Sequence, residues 1–96
     1  MYAQLVMLHL GPGMSSTAEK MVEQLTPVFE AQKGFIKVTF FADEAEGDYG
    51  SWSLWESKED AEAEAEAVRP QLEQALSGIA KGPPTRRFFE VYEPKA

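Results

Sequence analysis

Trp52-Ser53-Leu54-Trp55-Glu56-Ser57-Lys58-Glu59-Asp60-Ala61-Glu62 packs the end of a strand and the start of a helix into eleven residues. The first half is apolar and aromatic, and the second is charged and carries Ala. Ser57 stands at the junction, where its side chain can accept a hydrogen bond from a free N–H of the new helix. Glu59 and Asp60 then place negative charge in the first turn, against the positive end of the helix dipole. The pattern predicts a strand over 49–56 and a helix that begins directly after Ser57.

Upstream, Phe35 to Ala42 reads as a strand rich in Phe, Val, Ile and Thr, joined to the next strand by the polar hairpin loop 43–48. Tyr2 to Leu10 is an apolar strand whose only polar members are Gln4 and His9, so both of its faces should be largely buried. Gly11-Pro12-Gly13 stops it. Ser16-Thr-Ala-Glu19 has the form of a capping box. The helix it opens carries Ala18, Met21, Val22, Leu25, Val28 and Phe29 on one stripe, with Pro27 inside and Gly34 at its end. Downstream, Ala61, Ala65, Val68, Leu72, Leu76 and Ile79 form the stripe of the second helix, which Pro70 is expected to divide. Thr85 to Tyr92 is the last strand.

The order β-α-β-β-α-β over residues 1–96 predicts one α+β domain of the ferredoxin-like kind, with a four-stranded antiparallel sheet. Two helices cover one face of such a sheet, yet large apolar residues occupy both parities of the strands. A sheet with one wet face would alternate apolar and polar residues. The second face therefore calls for a partner, and the expectation is a homodimer packed through sheet faces.

Nine basic and sixteen acidic residues give a formal charge of −7, which opposes nucleic-acid binding. No apolar run of about 18 residues is present to span a membrane, and no basic stretch precedes the first apolar residues, so cytoplasmic residence is expected. The absence of cysteine removes disulfides, thiolate catalysis and Cys-based metal sites. One histidine cannot build a His-based metal triad. The acidic loop 43–48 lacks the spacing of a calcium loop, and Pro12 removes a donor that a phosphate loop would use. No metal is expected.

The element order, Gly34-Phe35 and Leu54-Trp-Glu-Ser-Lys-Glu-Asp-Ala61 together resemble the antibiotic biosynthesis monooxygenase family of dimeric α+β barrel proteins, over roughly residues 2–93. The resemblance implies a ferredoxin-like protomer whose sheet joins a partner's sheet, with a cavity beside it. Some members oxidise polycyclic phenols or quinols with molecular oxygen and without metal or cofactor; others bind and degrade haem. Trp55 matches the catalytic Trp of the haem-degrading branch. That branch's strand Asn falls on or near Val6, and its helical haem-ligating His has no counterpart in Ser57–Ile79.

The resemblance therefore implies a cofactor-independent monooxygenase acting on a small phenol- or quinol-type aromatic. His9 is the catalytic candidate, since a neutral imidazole can take the phenol proton. A buried His bonded to a backbone carbonyl, or one at the strand's exposed end, is the structural alternative. Trp55 shares a strand face with Tyr49, Ser51 and Ser53, which would leave room and hydroxyls beside the indole for a flat ligand. Arg86 and Arg87 project to opposite faces, and either could pair with an oxyanion. His9, Trp55, Tyr49, Ser53 and Arg87 are the expected site. A non-catalytic ligand-binding or stress-related dimer on the same fold is the alternative.

Overall fold

In the computed structural model, which describes residues 1–94, the elements are β1 (Tyr2–His9), α1 (Ser15–Glu30), β2 (Phe35–Asp43), β3 (Asp48–Trp55), α2 (Lys58–Leu76) and β4 (Thr85–Glu90). The strands form one antiparallel sheet in the order β2-β3-β1-β4. This is the expected ferredoxin-like plan.

Register decides what each face carries. Gln4 lies opposite Ser53, Val6 opposite Ser51 and Leu8 opposite Tyr49. Even positions of β1 and odd positions of β3 thus share the face under the helices. The same face takes Arg86 and Phe88 from β4, opposite Val6 and Gln4. In β2 the register shifts between Phe35 and Lys37. This bulge sets Ile36 aside, 40% exposed, and lets Phe35 join Val38 and Phe40 against Trp55. The other face carries Leu5, Met7, Trp52, Leu54 and Phe89, with Phe41 40% exposed on its edge.

The helix-side core has two parts. Leu10, Met21, Tyr49, Leu72 and Leu76 form one; Phe29, Trp55 and Ala61 form the other. Ser57 caps α2 as expected, accepting from the Asp60 N–H at 3.1 Å. The two stretches that carry the family resemblance meet here. The Glu56 N–H donates to the Gly34 carbonyl at 2.9 Å, and the Asp60 carboxylate occupies the space where a Cβ on Gly34 would stand. Gly34 has φ +79°, so this residue suits the position on conformation and on space.

Four local expectations are corrected. Met14, not Ser16, caps α1, and no side chain caps it. The first turn closes through Ala18 N–H to the Met14 carbonyl, which puts Ser16 inside the helix and leaves the capping box unmade. Pro70 does not divide α2, because Val68, Leu72 and Leu76 keep one buried stripe through it. The Glu66 carbonyl that loses its bond lies on an exposed residue, where water can serve it. Ile79 falls beyond that helix, and β4 ends at Glu90, two residues short of Tyr92.

Candidate functional site

A cavity of about 350 Å³ lies between α1, α2 and the helix face of the sheet. Its apolar wall includes Leu8, Leu10, Met21, Leu25, Phe29 and Phe40. These are the stripe of α1, the even-numbered side chains of β1 and β2, and Leu10 just past the end of β1, so the periodicity that makes the core also makes this wall. Its polar lining is Tyr49 and Ser51 from β3, Glu64 from α2 and Arg86 from β4, together with the half-buried Ser15 and the exposed Glu19 and Glu44.

Two of these, Tyr49 and Glu64, carry polar atoms with no partner among the described residues. The Tyr49 hydroxyl and Glu64 Oε1 are both buried and unbonded, on residues that are 5% and 1% exposed. Native interiors pair nearly all such groups, because an unsatisfied one costs about 1–3 kcal/mol. Both residues line the same cavity.

Glu64 is held from one side only. Gln4 Nε2 donates to its Oε2 at 2.7 Å, and Arg86 Nη1 donates to Gln4 Oε1. Burial pushes the Glu64 carboxyl above its ordinary value; the Gln4 hydrogen bond and the Arg86 charge oppose that rise without cancelling it. Burial likewise lowers the Arg86 guanidinium, with Glu64 acting against it. A carboxyl with a raised pKa in an apolar cavity is suited to take a proton from a bound ligand.

The residues expected from the sequence are not brought together. His9 is exposed, not buried, and its Nδ1 lies 2.9 Å from Asp48 Oδ1. As the end residue of β1 on an odd position, it projects to the face opposite the cavity. Trp55 is fully buried, and the room expected beside its indole is filled. Its Nε1 donates to Ser53 Oγ at 2.9 Å, while Phe29, Phe35 and Phe40 pack around this aromatic cluster. Ser53 is consumed by that bond and also lies outside the cavity lining. Arg87 stands on the far face with its guanidinium 4.7 Å from the Phe89 ring centre, and Arg86 occupies the cavity side instead. Of the expected set, Tyr49 alone lines the cavity.

Glu64 and Gln4 were legible in part. Glu64 falls three residues after Ala61 and four before Val68, on the buried stripe, but it is hidden in the alternation Ala61–Ala67 that reads as a solvated face. Gln4 is a lone amide in an apolar strand, which signals a buried partner without saying which. Among the described residues no group of three or more His, Asp or Glu gathers to hold a metal ion, and no helix is long and apolar enough to cross a membrane.

No protein-family model and no curated protein matches the chain. Solved structures match it in fold. One is the monooxygenase from the gene ActVA-Orf6 of Streptomyces coelicolor in complex with nanaomycin D, at 23% identity and TM-score 0.73, covering 99% of this chain and 90% of that one. A second is a variant of SnoaB, a cofactor-independent oxygenase from Streptomyces nogalater, at 12% identity and TM-score 0.75, covering 97% and 94%. A third is a variant of MhuD with two manganese protoporphyrin IX bound per active site, at 19% identity and TM-score 0.76, covering 100% and 99%. The chain also shares its fold with a putative antibiotic biosynthesis monooxygenase from Bordetella bronchiseptica, at 18% identity and TM-score 0.76, covering 96% of this chain and 97% of that one.

Proposed function

We propose that this protein is a cofactor-independent oxygenase of a small phenol- or quinol-type aromatic, bound in the cavity between the helices and the sheet. The observation that carries the reading is the pair of unpartnered buried atoms, the Tyr49 hydroxyl and Glu64 Oε1, on one mostly apolar cavity of about 350 Å³. Apolar walls with a few converging polar groups suit a flat aromatic ligand with oxygen substituents. Likeness in fold to SnoaB and to the nanaomycin-bound monooxygenase supports the chemistry.

Glu64 takes the proton of the ring hydroxyl, and the Tyr49 hydroxyl meets a second ligand oxygen. The resulting anion is electron-rich enough to reduce molecular oxygen. For a phenol going to a quinone, one oxygen atom enters the ring and the other leaves as water, which takes up the proton held by Glu64 and the one lost from the ring carbon, so Glu64 is again a carboxylate when the product stands in the cavity. The substrate supplies all four electrons, so no external reductant is needed.

Haem is the other ligand that the fold brings to mind, through MhuD. The residues here fit it poorly. The single imidazole lies on the opposite sheet face, and Trp55 is sealed in the core.

The apolar far face, with Trp52 and Phe89 stacked 6.0 Å apart and Phe41 exposed on its edge, supports a second copy of this chain as its partner. Sedimentation at micromolar concentration checks this, and a species of one chain mass removes it.

The function is tested with an oxygen electrode over a panel of quinols and polycyclic phenols, with isotope-labelled oxygen to follow incorporation. Uptake that depends on the protein, with one labelled atom in the product, is expected. Uptake no faster than the buffer rate across the panel, with ligands still binding, would replace the oxygenase by a non-catalytic binding protein.

A further inference from the structure

We infer that the Arg86–Gln4–Glu64 chain is a polarity filter. It fixes the cavity wall at position 64 as a hydrogen-bond acceptor, so the site takes hydroxyl-bearing aromatics and turns away their oxidised, carbonyl-bearing counterparts. This rests on the reading that the cavity beside α1 is the ligand site.

The direction of the chain is not free. A guanidinium has donors only, so the Gln4 atom against Arg86 is the carbonyl Oε1. That turns Gln4 Nε2 toward α2, where it donates to Glu64 Oε2 at 2.7 Å. Oε2 is thereby spent. Oε1 remains unpartnered, and an ionised carboxylate can only accept. A ligand meeting it must bring an O–H or N–H. A phenol or quinol does so. A quinone sets a second acceptor against the first, and both stay unpaired in a medium that penalises it. The Tyr49 and Ser51 hydroxyls donate and accept with equal ease, so they hold either form, and Arg86 Nη1 is engaged by Gln4 Oε1. The discrimination therefore falls on Glu64. In an enzyme that oxidises such rings, this wall favours entry of the reduced substrate and departure of the oxidised product.

Glu64→Gln keeps the shape and inverts the polarity. Gln4 Nε2 still requires an acceptor, so the new amide turns its oxygen to Gln4 and presents its NH₂ to the cavity. Arg86 and Gln4 act as positioning residues, since neither discriminates except through residue 64.

The test is calorimetric binding of α-naphthol and naphthoquinone at mildly alkaline pH, the side that favours the ionised carboxyl. The chain has no cysteine for the quinone to alkylate. Wild type is expected to prefer naphthol by about tenfold or more. E64Q should prefer the quinone, and E64M should bring the ratio near one. An E64Q ratio equal to that of wild type overturns the filter. Should E64Q not fold, an unchanged ratio in E64M does the same. Only binding is read, so loss of the filter leaves oxygen uptake standing, and absent uptake leaves the filter standing.

Discussion

His9 and Trp55 lie on opposite faces of the sheet. Both carry odd numbers, but Tyr2 pairs with Trp55 and His9 pairs with Asp48. Antiparallel register thus matches even residues of β1 to odd residues of β3, and the shared parity that would join the two side chains separates them.

His9→Ala should therefore leave the cavity untouched. The His9–Asp48 pair is about half exposed on both sides, and such pairs contribute at most about 1 kcal/mol. Affinity for α-naphthol is expected to equal that of wild type. A large loss would mean that His9 reaches the ligand, by way of a partner chain or a rearranged strand end.

Trp55→Ala should cost about 3–5 kcal/mol, the range for a large aromatic removed from a core. Trp55 is completely buried, sits edge-on to Phe35 at 5.5 Å and gives its Nε1 hydrogen to Ser53. Urea denaturation measures the loss. A cost under about 1 kcal/mol would show that the aromatic cluster is not what anchors β3.

Tyr49→Phe removes a buried hydroxyl that has no partner. The variant should be more stable than wild type by about 1–3 kcal/mol and bind 1,4-dihydroxynaphthalene, whose second hydroxyl Tyr49 would meet, less tightly. Stability gained with affinity lost is the signature of a group kept for a ligand. A variant that loses stability would instead reveal a partner for the hydroxyl, such as an ordered water.

Glu64 links stability to pH. Its native carboxyl titrates above the ordinary 4.5 because burial outweighs the help of Gln4 and Arg86. The native state then holds its proton more tightly than the unfolded chain does, and that contribution is fully present below the unfolded value. It is lost as pH rises from 4.5 through the raised native value. E64Q has no such proton, so the stability of wild type relative to E64Q should fall across this window. Urea midpoints of both proteins from acid to mildly alkaline pH decide it. A difference that rises with pH would mean that Arg86 and Gln4 outweigh burial.

The sequence by itself determined the elements. Periods of two and of about 3.6, the glycine breaks and the Ser57 cap are local signals, and they placed all four strands and both helices in order. They also showed that both sheet faces are apolar. Tertiary structure alone decided the site, because which side chains share a face depends on strand register and on the bulge after Phe35, and neither is written in local pattern. It turned Arg86 rather than Arg87 inward. It filled the space around Trp55 with phenylalanines from α1 and β2. It also joined Gln4 to Glu64 across sixty positions of sequence, making a buried polar chain from two residues whose neighbours gave them no reason to meet.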